Sequence, residues 1–151
     1  MTFLTQGTWV LVADSEKALF LENTTDAQNP NLKVRRKDEQ ENPSNREQSA
    51  NRPGRFNDGP SVHRSAVDDT DWHQLAKERF ASDLADRLYK MAHKGQFERL
   101  VLVAAPEVLG ELRKNLHKEV ADRVVAEVAK NLTNHETSKI EEMVKDALEN
   151  G

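Results

Sequence analysis

Apolar residues in this chain fall into two groups, separated by a long polar stretch. In the first, Thr8 to Asp14 (Thr-Trp-Val-Leu-Val-Ala-Asp) is a short run of β-formers and reads as a buried strand. Asp14-Ser15-Glu16 is a turn, and Ala18-Leu19-Phe20-Leu21 follows closely enough to pair with the first strand as a hairpin. Asn29-Pro30-Asn31 marks another turn. Leu32 and Val34, with charges between them and after them up to Arg35-Arg36-Lys37, predict a third strand exposed on one face and lying at an edge. From Asp38 to Thr70 almost no apolar spacing remains, so residues 38–70 read as a flexible loop.

The second group begins with a helix. Asp71 and Gln74 have the spacing of a capping box. Trp72, Ala76, Phe80, Leu84 and Leu88 then recur every four residues, with Leu75 and Met91 widening the stripe and Gly95 as the stop. Leu100 to Ala105 is apolar throughout, as in a central strand covered on both faces. Pro106 suits the first turn of a helix running to about Leu116. Val120 to Val128 is ambiguous between helix and strand, and a fifth strand is placed near Val124 to Ala129. Thr133 and Glu136 form a second capping-box pattern, and Ile140, Met143, Val144 and Ala147 supply the apolar face of a last helix.

The order is therefore β-β-β-loop-α-β-α-β-α. It predicts a mixed α/β (α+β) fold with a five-stranded sheet, ribonuclease-H-like, in which the first and fourth strands are central and parallel. With 151 residues, a single domain covering 1–151 is expected.

Composition narrows the classes of function. The chain is 36% apolar and 32% charged, and its polarity is concentrated in residues 38–70 and the last helix. A net charge of −4 argues against binding nucleic acid over the whole surface but leaves room for a local basic patch. With no cysteine there is no disulfide framework, Cys-ligated zinc or thiol nucleophile. The N-terminus lacks the basic and apolar regions of a signal peptide, and no apolar run spans a bilayer. A soluble, cytoplasmic protein without membrane insertion is expected.

The polar stretch carries the first candidate chemistry. Arg46, Arg52, Arg55, His63 and Arg64 stand in a span whose acids are Glu47 and Asp58. Pro53-Gly54 favours a tight turn, the guanidiniums can fork onto phosphates, and Phe56 can stack on a base. Lys33, Arg35, Arg36 and Lys37 would extend this patch from the third strand. The alternative is a solvated loop whose arginines hold nothing in the free protein. A second candidate is the crevice at the C-terminal ends of strands one and four, where open α/β sheets tend to bind ligands; Asp14, Glu107 and Arg113 are placed near it. There, Asp14 and Glu107 with Glu78 or Asp83 could be cast as the carboxylates of a two-metal nuclease. Against this, Asp14 more naturally starts the hairpin turn, and helix acids usually face solvent. The five histidines form no H-x-x-x-H or H-E-x-x-H pair, and no P-loop, dinucleotide fingerprint or G-x-S-x-G is present. No catalytic residue, metal ligand or cofactor is assigned.

Several blocks together resemble the bacterial host attachment family (protein required for attachment to host cells). They are Thr8-Trp9-Val-Leu-Val-Ala-Asp14, Asn51-Arg52-Pro53-Gly54-Arg55-Phe56, Phe80-Ala81-x-x-Leu84-Ala85 and, most specific, Leu100-Val-Leu-Val-Ala-Ala-Pro-Glu-Val-Leu-Gly-Glu-Leu-Arg113. Lys130-Asn131-Leu132-Thr133 is similar to a later motif of that family, which more often has Asp at the position of Asn131. That family is in turn distantly similar to the central domain of archaeal and eukaryotic peptide-chain release factors. There, the loop before the long helix carries Gly-Gly-Gln into the peptidyl transferase centre; here Arg52-Pro53-Gly54-Arg55 occupies the corresponding region. The resemblance implies a requirement for bacterial attachment to host cells. With no export signal, that role is read as indirect, through binding of RNA, the ribosome or tRNA by the arginine-bearing loop. Two alternatives stay open: a leaderless surface adhesin or interaction module, and a hydrolase acting as a nuclease or on peptidyl-tRNA.

Overall fold

Two five-residue strands with no charged side chain are buried along their whole length, and the fold is built around them. They are β1, Trp9–Ala13, and β4, Leu100–Ala104. They lie side by side and parallel, from Trp9 opposite Leu100 to Ala13 opposite Ala104. The computed structural model describes residues 3–40 and 59–150, with the backbone alone at 59–72 and at 150.

On one side of β1, strand β2 (Lys17–Asn23) and then β3 (Leu32–Glu39) continue the sheet antiparallel. On the other, β5 (Val124–Val128) pairs parallel with β4. The sheet order β3-β2-β1-β4-β5 is the five-stranded mixed sheet expected, with β1 and β4 inside it and β3 at an edge. The helices are α1 (Gly59–His93), α2 (Pro106–Asn115), α3 (Lys118–Ala121) and α4 (Thr137–Asn150).

Alternation along the strands sends side chains to two separate cores. Trp9, Leu11, Phe20, Leu100 and Leu102 pack with Phe80, Leu84, Leu88 and Met91 of α1 and with Leu109 and Leu112 of α2. Val10, Val12, Leu21, Val101 and Val103 pack on the opposite face with Ile140, Val144 and Leu148 of α4. Fully burying each such side chain contributes roughly 1.5–3 kcal/mol.

Several expected boundaries move. β3 continues to Glu39, and α1 begins at Gly59 rather than Asp71, so both ends of the expected loop over 38–70 belong to regular elements, and its middle, 41–58, lies outside the described residues. The signal for the earlier start was Gly59-Pro60, since proline suits a first helical turn. Asp71 is thus inside the helix, and the side chain of Gln74 donates to Glu78 Oε2 at 2.9 Å instead of closing a cap. Leu75 is half exposed and does not widen the packed stripe. Helix α4 starts at Thr137, which leaves Thr133 outside it and free for other contacts. The four-residue α3 was not anticipated. Only Leu32 of β3 is buried; Val34 is 45% exposed, so the strand faces solvent on both sides beyond its first residue.

Candidate functional site

Two surfaces are built by this frame. The first lies between β3 and α1. A β-bulge interrupts the pairing of β2 with β3: Leu21 stands opposite Val34, but Phe20 stands opposite Arg36, which leaves Arg35 as an extra residue. A bulge lets two successive side chains leave on the same face. The contacts agree with this. Arg35 Nε donates to Glu22 Oε1 at 3.0 Å, and Arg36 Nε lies 2.7 Å from Asp38 Oδ1. Glu22 and Phe20 share the face covered by α1, and Lys33 stands opposite Glu22 in the register. From the helix, Arg87 Nε approaches Asp38 Oδ2 at 3.5 Å, too long for a hydrogen bond but close enough for a charge contact. Gln40 Nε2 donates to the carbonyl of Ala76 at 3.0 Å, which fastens the end of β3 to the helix. From Ala76 back to Gly59 the helix runs roughly 25 Å further at ~1.5 Å per residue.

Arg35 and Arg36 are therefore both engaged by carboxylates, although 45% and 43% of their side-chain surface stays in solvent. Exposed pairs of this kind are worth little and exchange partners readily. Arg52, Pro53, Gly54, Arg55 and Phe56 lie outside the described residues. His63 and Arg64, expected in a loop, belong by their backbone to helix α1. Arg87 and Asp38 were not singled out in the sequence. They approach from different elements, and no local spacing links them.

The second surface is a crevice of about 450 Å³ at the C-terminal ends of β1 and β4, between α1 and α2. Phe80, Ala81, Leu84, Pro106 and Val108 make it apolar, while Asp14, Lys77, Glu107, Lys114 and Asn131 supply polar groups. Asp14 and Glu107 thus border one cavity. Arg113 is not among its lining residues: its Nε donates to Glu127 Oε1 of β5 at 3.0 Å. That hydrogen bond, followed by the charge of Glu127, holds the guanidinium above its ordinary range. The reason is helical phase, since Glu107 and Gly110 face the crevice and Arg113 leans over the neighbouring strand.

The carboxylate of Asp14 is already occupied. Its Oδ1 accepts from the backbone N–H of Glu16 and of Lys17, both at 2.7 Å, as in a side-chain-closed turn. Its Oδ2 lies 2.7 Å from the hydroxyl of Thr133, which is also 2.9 Å from Asn131 Oδ1. The hydroxyl carries one hydrogen, and the charged Asp14 is the stronger acceptor. Asn131, at the position where the resembling motif more often has Asp, accepts from the backbone N–H of Thr133 at 3.3 Å and so helps place that residue beside Asp14. Among the described residues, no three His, Asp or Glu side chains come together as a metal-binding group. The nuclease arrangement of Asp14, Glu107 and a helix acid is not assembled.

Among the described residues, no helix is long and apolar enough to cross a membrane. No curated protein matches the chain. The family model described as bacterial archaeo-eukaryotic release factor family 12 matches residues 7–144, which takes in every strand, both surfaces and the stretch between β3 and α1. The chain belongs to that family of release-factor-like proteins.

Proposed function

We propose that this protein is a cytoplasmic, translation-associated RNA-binding factor that contacts the ribosome or tRNA through the arginine-bearing stretch ahead of α1, without itself hydrolysing a bond. What carries the reading is the release-factor-like family match, which spans that stretch. In this chain the stretch contains Arg52-Pro53-Gly54-Arg55 and no Gly-Gly-Gln. Guanidiniums at Arg52, Arg55 and Arg64 suit phosphate, and Phe56 suits a base face. None of these side chains supplies the glutamine chemistry that the resemblance associates with peptide release. Any contribution to attachment to host cells is, on this reading, indirect and exerted through translation of other proteins.

The test is co-sedimentation with ribosomes and equilibrium binding to tRNA. Wild-type affinity should fall steeply with salt as counterions are released, and changing Arg52, Arg55 and Arg64 together to Glu should weaken it at least tenfold. Equal binding by the two proteins overturns the mechanism. Release of peptide from peptidyl-tRNA would replace it with the hydrolase reading, and recovery chiefly outside intact bacteria would replace it with the adhesin reading.

A further inference from the structure

The surface where β3 meets α1 has an arrangement that packing does not require. Two guanidiniums converge on one carboxylate from two different elements, Arg36 on β3 and Arg87 on α1, with Asp38 between them. Among the described residues, the two cations share this one carboxylate. Beside them, Arg35 and Lys33 face the single carboxylate of Glu22, which repeats the pattern. Each arginine meets Asp38 through its Nε. Among the described residues, neither has another ion pair or hydrogen bond, so the Nη groups of both stay open to a further acceptor. About 40% of each side chain is solvent-accessible while Asp38 is only 19% exposed, and the Nε of Arg87 is buried without a hydrogen-bond partner.

We propose that Arg36 and Arg87, held apart by Asp38, form a docking point for a backbone phosphate of RNA. The chemistry fits a phosphate better than a carboxylate. A phosphodiester offers two non-bridging oxygens to two planar forks, and its tetrahedral shape lets those forks approach from different directions. The β-bulge aligns Arg35 with Arg36 on the same face, so a strand of phosphates running along β3 meets cations in succession. Asp38 sets the spacing of the two guanidiniums and also limits how tightly the anion is held. This site rests on the RNA-binding reading above but uses none of the residues by which that reading is tested.

Binding of tRNA and of ribosomes is measured across a salt series for wild type, Arg87→Gln, Arg36→Gln and Asp38→Asn, with thermal unfolding of each. Loss of either arginine should weaken binding roughly five- to tenfold and flatten the slope of log affinity against log salt by about 0.7–0.9, the value of one phosphate contact. Asp38→Asn should strengthen binding severalfold even where it lowers the melting temperature, an outcome a purely structural role for Asp38 does not give. Arg36→Gln, on an exposed edge strand, serves if Arg87→Gln fails to fold. If wild type binds and the Glu triple variant does not, but both Gln variants bind like wild type with the same slope, the docking point is wrong and the general reading survives. If wild type binds neither RNA, both fall. If inorganic phosphate raises the melting temperature of wild type but not of Arg87→Gln, while RNA binding is the same in both, the site takes a free anion and the RNA assignment is overturned.

Discussion

Single polar side chains close this fold where the backbone leaves it. Asn23, fully buried at the end of β2, is the clearest case. Its amide nitrogen donates to the carbonyls of Leu4 and Asp26 at 2.7 and 3.1 Å, and its oxygen accepts from the N–H of Asn31 and of Thr25 at 2.9 and 3.2 Å. One residue thus ties the N-terminal segment to the β2–β3 turn. Removing it leaves several buried groups unpaired, each costing about 1–3 kcal/mol where water cannot enter. Asn23→Ala should therefore lose roughly 3 kcal/mol, read as a lower denaturation midpoint at unchanged slope. A loss below about 1 kcal/mol would mean that water replaces the amide. Nothing around Asn23 in the sequence distinguishes it from the neighbouring turn residues. Asp14 was legible as a turn-former, but its partner Thr133 was not, because they meet only across the folded molecule.

At the scale of elements, the end of α1 was visible in the sequence and its beginning was not. Gly95 has φ of +75°, the N–H of Gly95 donates to Ala92 and that of Gln96 to Met91, and the last carbonyls are satisfied by a left-handed turn. Arg123 adds a second cover, donating from Nη1 to the carbonyls of Ala92 and Phe97. A Cβ at Gly95 meets nothing within 4 Å, so the cost of Gly95→Ala is purely conformational. It should be about 1–2 kcal/mol, measurable by chemical denaturation with no change in the sheet core. A loss well above that would point to a contact this geometry lacks. The start of α1 escaped the periodicity argument because an apolar stripe marks only the turns that pack, and the buried positions among the described side chains begin at Phe80. The bulge in β3 was likewise invisible, since alternation assumes a regular pleat.

At the scale of the molecule, one sheet serves two cores. Leu102 of β4 is fully buried against α1 and α2, and Val103 beside it is fully buried against α4. Because both cores share the same strands, neither helix layer should melt alone. Leu102→Ala, at about 2–5 kcal/mol, and Val103→Ala, somewhat less, should each shift one unfolding transition seen alike by far-ultraviolet dichroism and tryptophan fluorescence. Separate transitions in either variant would show that the layers are independent. The release-factor-like family match covers residues 7–144 and with them all five strands of this sheet.

The pattern of apolar residues was enough to set the five strands, the three longer helices, their order and the two-faced burial of β1 and β4, because burial on both sides demands unbroken runs and burial on one side demands a period. Tertiary structure alone decided which charges meet. Arg35 and Arg36 looked like an open basic patch, yet each has a carboxylate, and Arg87 joins them from a helix whose sequence gives no sign of it. Hydrophobic patterning is a property of neighbours along the chain. Ion pairs and crevices depend on distances of a few ångströms between elements, and those exist only once the sheet and its helices have packed.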